Sequence, residues 1–140
     1  MIEGEGVVHE AHYPHPVTAV WSALTDSAAL AGWLMPNDFA PIPGRRFQLD
    51  ARPHFGFIAG EVLEVEPPHL LRCRWIIENV ETLVTFRLES EGTGTRLTLE
   101  HAGLSGPRHL EFDPGWAAKL SGDLVLLLRA GSGSSGSNGT

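Results

Sequence analysis

Residues 112–131 read FDPGWAAKLSGDLVLLLRAG and predict one long helix at the end of the chain. Asp113 is a good N-cap residue, Pro114 suits the first helical position, and Gly131 follows the last turn. A helix of about 16 residues is roughly 24 Å long, which is enough to cross a whole curved sheet. One stripe of it is apolar and is expected to be buried, at Trp116, Leu120, Leu124, Leu127 and Leu128.

The residues before this helix predict a sheet. Strand-like segments separated by Gly, Pro and Asn turn signals lie at about 6–13, 45–51, 55–65, 69–77, 82–89 and 95–101. The connections among the last five are too short for crossovers, so these strands should form an antiparallel meander. Alternation in 69–77 and 95–101 predicts one apolar face and one wet face. In 55–65 the alternation is ambiguous, and we expect a bulge near Gly60 to switch the faces.

Two short helices are predicted between the first two strands. Apolar residues recur at helical spacing through residues 17–24, and Asp26 can cap a second helix that contains Leu30, Trp33 and Leu34. Trp21 lies on the apolar face of the first helix and is expected in the core. Trp33 ends the second helix just before a proline-rich loop, and we expect it at the mouth of a pocket.

Composition restricts the class of protein. The 140 residues carry a net charge of -7, which disfavours nucleic-acid binding. No apolar run approaches the about 20 residues of a membrane-spanning helix, so no membrane insertion is expected. The acidic start MIEGEG and the single Cys73 favour a cytoplasmic location. Residues 1–130 are predicted to form a single domain and 131–140 a flexible Gly/Ser tail.

Three stretches carry a family resemblance: PHPVTAVWSALTDSAALAGWL at 14–34, EVLEVEPPHLLRCRW at 61–75, and VTFRLESEGTGTRLTLEHAGL at 84–104 with GW at 115–116. They resemble the bacterial branch of the domain named after the activator of the heat-shock-protein-ninety ATPase, in the START and birch-pollen-allergen superfamily (SRPBCC, polyketide cyclase-like). The resemblance implies an α+β helix-grip fold. In that fold a curved antiparallel sheet of about six strands wraps around a long C-terminal helix, with two short helices after the first strand.

No metal site is predicted from the histidines near the N-terminus. His9, His12 and His15 are spaced three apart, but Pro14 and Pro16 exclude a helix there. On a strand, His9 and His12 point to opposite sides, so they cannot share a ligand.

No cofactor and no catalytic residue is predicted either. The chain has no G-x-S-x-G elbow, no P-loop and no G-x-G-x-x-G. Cys73 is expected to face inward as a small packed side chain, since no neighbouring feature would lower its pKa.

The helix-grip architecture implies a cavity between the sheet and the C-terminal helix. His101 is predicted to face inward, either as a core histidine with one partner or as a polar anchor, and Glu61 is its companion if that strand faces inward. The predicted ligand-binding set, each member with packing in the core as its alternative, is Trp33, Phe39, Phe47, Phe57, Glu61, Cys73, Trp75, Phe86, His101 and Leu120.

The leading hypothesis is a binding domain for a lipophilic or aromatic small molecule. One alternative, which the superfamily resemblance implies, is a polyketide cyclase or dehydratase in which His101 moves protons. Another is an interaction module for a chaperone or other protein, although the acidic charge does not favour a chaperone partner. The sequence leaves open the identity of the ligand and the oligomeric state, including a homodimer.

Overall fold

A computed structural model describes residues 6–53, 55–104 and 107–130, with 107–109 described by their backbone. The predicted tail at 131–140 lies outside the described residues. The strands are β1 (Gly6–Tyr13), β2 (Arg46–Ala51), β3 (Gly56–Glu66), β4 (Leu70–Ile77), β5 (Val80–Glu91) and β6 (Gly94–Ala102). The helices are α1 (Val17–Thr25), α2 (Ser27–Trp33) and α3 (Pro107–Ala118), which continues through a π turn (Lys119–Asp123) into a helical segment at 124–130.

The six strands form one antiparallel sheet in the order β1-β6-β5-β4-β3-β2. The helices α1 and α2 carry the chain from β1 at one edge to β2 at the other. The C-terminal helix packs on the face that buries the apolar residues. This arrangement confirms the predicted helix-grip fold.

Alternation along the strands assigns the two faces of the sheet as predicted. Cys73 and Trp75 on β4 point inward and are buried, and so are Leu97, Leu99 and His101 on β6. The outer face carries ion pairs: Arg72 binds Glu64 at 2.8 Å, and Arg74 also pairs with glutamates. These charged side chains are typical of a sheet face that is exposed to solvent.

The expected irregularity in β3 lies just beyond Gly60, between Val62 and Glu64. It switches the faces, because Val62 points inward before it and Val65 packs against the core after it. Gly60 points inward, and a Cβ added there would overlap the Phe47 ring. Glycine is therefore required by the close approach of an aromatic ring, and the strand keeps a regular pleat through this position.

The C-terminal helix begins earlier than predicted. It starts at Pro107, so Asp113 is not its N-cap and Pro114 lies inside it. Pro114 cannot donate to the carbonyl of Leu110, which lies on the solvent side, where water can satisfy it.

The π turn keeps the buried stripe of this helix in line. In a regular α-helix a spacing of four residues drifts by about 40° per step, or about 120° over three steps. The wider turn takes up an extra residue, with the N–H of Leu124 bonded to the carbonyl of Lys119. As a result four residues at this spacing are all buried: Trp116, Leu120, Leu124 and Leu128.

Candidate functional site

A cavity of about 470 Å³ lies between α2, the sheet and the C-terminal helix. Most of its wall is apolar. The apolar lining consists of Ala31, Leu34, Met35, Pro36, Ala51, Phe55, Ile58, Trp75, Phe112, Gly115 and Trp116. The charged lining consists of Asp50, Arg52, Glu111 and Lys119. An apolar cavity with a few polar groups is the usual form of a small-molecule site.

Hydrogen bonds from Asp26 and Asn37 hold the α2 end of the cavity in place. Asp26 caps α2 as predicted, because its Oδ2 accepts the N–H of Ala29 at 2.9 Å. Asn37 then ties the following loop to the start of α2: its Nδ2 donates to the carbonyls of Ser27 at 3.1 Å and Met35 at 3.0 Å. These bonds fix the direction in which residues 34–36 meet the cavity.

Two pairs of aromatic rings contribute to the wall. Trp75 and Trp116 lie 5.7 Å apart with their planes inclined at 32°. Phe55 and Phe112 lie 4.8 Å apart and are inclined at 33°. Phe86 packs edge-on against Trp116 on the side away from the cavity, with the ring centroids 5.9 Å apart. The cavity therefore presents broad π surfaces, which suit a flat ring system.

A chain of hydrogen bonds links the Trp116 indole to the backbone of Trp75. Trp116 Nε1–H donates to Nδ1 of His101 at 3.0 Å. Nε2 of His101 must then carry the proton, and it donates to Oγ1 of Thr82 at 2.9 Å. Thr82 donates in turn to the carbonyl of Trp75 at 2.8 Å. The Trp116 indole N–H, both ring nitrogens of His101 and the Thr82 hydroxyl all have partners, so these three side chains are held in place.

His101 is a neutral residue behind the wall of the cavity. It is fully buried, and burial lowers its pKa to about 3. Both ring nitrogens are engaged, and the imidazole does not line the cavity. The histidine holds the wall in place, and it has no free nitrogen with which to exchange a proton with a ligand.

The mouth of the cavity is charged. Arg52 forms a double hydrogen bond with Asp50, and this arginine holds the pKa of the Asp50 carboxyl down at about 2. Lys119 is paired with Asp123, one helical turn further on, at 3.1 Å. Glu111 completes the rim.

Seven of the ten predicted ligand-binding residues divide into three groups. Trp75 lines the cavity. Phe86 and His101 contact Trp116 from behind it. The residues Phe39, Phe47, Cys73 and Leu120 are buried in the core and do not line the cavity, the first two as an edge-on pair 5.1 Å apart.

Three of the predicted positions differ from the expectation. Trp33 is not at the mouth: it is 1% exposed, does not line the cavity, and donates its indole N–H to the carbonyl of Ala23 at 2.8 Å. Phe57 and Glu61 both lie on the outer face of β3, because Gly60 between them points inward. Glu61 pairs there with Arg74 at 2.6 Å and does not approach His101.

The site also contains residues that the sequence did not single out as ligand contacts. Phe55 and Phe112 come from the β2–β3 turn and the C-terminal helix, and Leu34 and Met35 follow α2. The order of the elements could have pointed to these residues. The end of α2 and the C-terminal helix both line the cavity, so residues on these two elements were candidates for ligand contact. The charged pair Asp50–Arg52 had no sequence signal beyond its spacing of two.

Within the described ranges, no group of three His, Cys, Asp or Glu residues is placed to hold a metal ion. His9 lies 2.8 Å from Asp113 on the helix side of β1, whereas His12 lies between Glu10 and Glu91 on the other side. The opposite orientation of these histidines is as predicted. In the part of the chain that the structure describes, no helix is both long and apolar enough to cross a membrane.

Comparison with known proteins gives consistent matches. The family model described as Activator of Hsp90 ATPase homolog 1-like protein matches residues 14–128. The solved structure of MLL2253 from Mesorhizobium loti is 32% identical, with a TM-score of 0.82, over 90% of this chain and 98% of its own. CalU16 from Micromonospora echinospora is 31% identical, with a TM-score of 0.76, over 88% of this chain and 75% of its own.

DynU16, a protein in the dynemicin biosynthetic locus, is 28% identical, with a TM-score of 0.80. The match covers 92% of this chain and 49% of DynU16, so this chain spans about half the length of that protein. Among curated proteins no significant match is found.

Proposed function

The chain belongs to the family described as activator of Hsp90 ATPase homolog 1-like protein, which has a ligand-binding type of fold, and on that premise we propose that it binds a lipophilic or aromatic small molecule. The observation that carries the proposal is the wall formed by Trp75 and Trp116, two inclined indoles that face one apolar cavity. Flat apolar ligands gain most from such a wall, because burial of their surface is worth about 25 cal/mol per Å².

The size of the cavity supports the same proposal. Small-molecule sites usually enclose about 300–1,000 Å³, and this cavity encloses about 470 Å³. At about 30 Å³ per molecule, that is the liquid volume of about sixteen waters. A compound with two or three fused rings fits within this volume.

The cavity can be tested by filling it. Gly115 lines the cavity, and a Cβ added to it meets nothing within 4 Å, so we expect the side chain of Gly115→Leu to enter the space. Gly122 is a matched control: it lies on the same helix, is also open and does not line the cavity. Both changes replace glycine in a helix, so neither should reduce helix propensity.

The ligand probe is 2-ethylnaphthalene, titrated while the indole N–H signals of the four tryptophans are followed by NMR. We expect saturable shifts of the Trp75 and Trp116 signals in the wild type and in Gly122→Leu, and at least tenfold weaker binding in Gly115→Leu. Absence of binding to the wild type would contradict the proposal. Equal binding by Gly115→Leu and Gly122→Leu would show that the ligand occupies another place.

The other hypotheses have less support. A cyclase in which His101 moves protons would need a free imidazole nitrogen, and both nitrogens are bonded to Trp116 and Thr82. A chaperone partner is suggested by the family description, but no surface feature among the described residues favours it. A cytoplasmic location is part of our proposal, and the free, buried thiol of Cys73 supports it.

A further inference from the structure

Arg52 is oriented by Asp50 and Phe57 at the mouth of the cavity. Its Nε donates to Asp50 Oδ1 at 2.9 Å and its Nη2 to Oδ2 at 2.8 Å. One face of the guanidinium lies over the Phe57 ring, 4.8 Å from its centroid. Phe57 is 52% exposed on the outer face of β3, and this contact covers part of its ring.

This geometry leaves donors free. A guanidinium carries five N–H groups, and the fork to Asp50 uses two of them. The remaining three, on Nη1 and Nη2, have no protein partner among the described residues. Since Arg52 and Asp50 both line the cavity, an oxygen at the outer end of a bound ligand can approach these donors.

The charge at the mouth favours a neutral oxygen. Asp50 balances Arg52, Asp123 pairs with Lys119, and Glu111 adds a negative charge to the rim. The whole chain carries a net charge of -7. A carboxylate ligand would lose its hydration and meet this negative field, whereas a carbonyl loses much less on leaving water.

We propose that Arg52 recognises the polar end of the ligand, and that the ligand is an uncharged aromatic ring compound with a carbonyl-type oxygen at its outer end. This inference rests on the proposed function. The rings lie against Trp75 and Trp116, and the oxygen accepts from the free N–H groups of Arg52.

The test uses two probes of nearly equal shape: 2-acetylnaphthalene, which carries the oxygen, and 2-ethylnaphthalene, which does not. We expect the wild type to bind the acetyl compound about tenfold to a hundredfold more tightly, as for a hydrogen bond to a charged donor. In Arg52→Met the preference for the acetyl compound over the ethyl compound should disappear. Arg87→Met, an exposed arginine on β5, is the control and should keep the preference.

A third probe tests the charge. The anion 2-naphthoate should bind the wild type more weakly than 2-acetylnaphthalene does. Asp50→Asn should reduce or reverse this difference in affinity. Tighter binding of 2-naphthoate by the wild type, or an oxygen preference that survives in Arg52→Met, would overturn the inference. Failure of 2-ethylnaphthalene to bind the wild type would instead contradict the proposed function, so the two failures are distinguishable.

Discussion

The indole N–H of Trp116 donates to Nδ1 of His101 at 3.0 Å, and this bond fixes both the tautomer of the histidine and the position of the tryptophan. Because Nδ1 accepts, Nε2 carries the proton and is directed at Thr82. A protonated His101 would have a donor facing a donor and would lose this contact. The shape of the cavity wall is thus linked to the charge state of a residue that the ligand does not reach.

Loss of the imidazole should destabilise the fold. In His101→Leu the indole N–H of Trp116 and the hydroxyl of Thr82 lose a buried partner, so we expect the free energy of unfolding to fall by about 2–4 kcal/mol. Urea denaturation measures this change. The control is His12→Gln, at an exposed histidine, which should leave the urea midpoint unchanged; equal loss in both variants would contradict the assigned role.

Stability should fall at acid pH because of the same residue. Burial lowers the folded-state pKa of His101 from 6.5 to about 3, so the unfolded chain binds a proton before the folded chain does. The contribution of the neutral imidazole is fully present above about pH 6.5 and is lost as the pH falls toward 3. It changes by about 1.4 kcal/mol per pH unit within that window.

A variant that cannot titrate isolates this contribution. Urea denaturation of the wild type and of His101→Gln between pH 7 and pH 4 should show a shallower pH dependence in the variant. Parallel curves would mean that His101 is not held neutral in the folded state.

Trp33 should matter for stability and not for binding. It is 1% exposed and bonded to Ala23, so Trp33→Ala should lower the free energy of unfolding by about 3–5 kcal/mol. Trp21 is only half-buried, and Trp21→Ala should cost clearly less. Where both variants remain folded, their affinity for 2-ethylnaphthalene should equal that of the wild type. A loss of affinity in Trp33→Ala alone would show that Trp33 contributes to the binding site.

The thiol of Cys73 should be inert in the native protein. Burial raises its pKa to about 12, and the thiolate is the reactive species. We expect a disulfide reagent at pH 8 to label the folded protein at least about a hundredfold more slowly than the urea-unfolded protein. Fast labelling of the folded protein would show that the thiol is reached from solvent through the cavity.

Gly60 and Phe47 should behave as a coupled pair. Gly60→Ala puts a methyl group where the Phe47 ring lies, and we expect a loss of about 1–3 kcal/mol in the free energy of unfolding. Phe47→Leu removes the ring edge, so the added methyl should cost less in that background than in the wild type. A double-mutant cycle measures the difference, and additive losses would argue against the contact.

Local pattern was sufficient for the sheet and insufficient for the site. The alternation around Cys73 and Trp75 predicted their burial because each strand has a wet face and an apolar face. Trp33 could not be placed in this way, since a spacing of three or four residues identifies a helix face but not what the face contacts. Likewise, the outward direction of Phe57 depends on the fit of Phe47 over Gly60, which is a contact between strands.

The C-terminal helix shows the same limit. Pro114 predicted a helix start because proline is tolerated at the first position. It is equally tolerated inside the helix here, since the carbonyl that it leaves unpaired belongs to exposed Leu110. Local residue preferences cannot distinguish these two cases, because the difference lies in which side of the helix faces water.

The π turn at Lys119–Asp123 gives the C-terminal helix a joint. The half before it carries Gly115 and Trp116, and the half after it closes the core. The hydroxyl of Tyr13, on β1, donates to the carbonyl of Leu120 at 2.7 Å and so clamps the joint to the sheet. This contact lies near the middle of the helix. A ligand that displaced Trp116 would therefore meet resistance at Leu120 before the displacement reached residues 124–130.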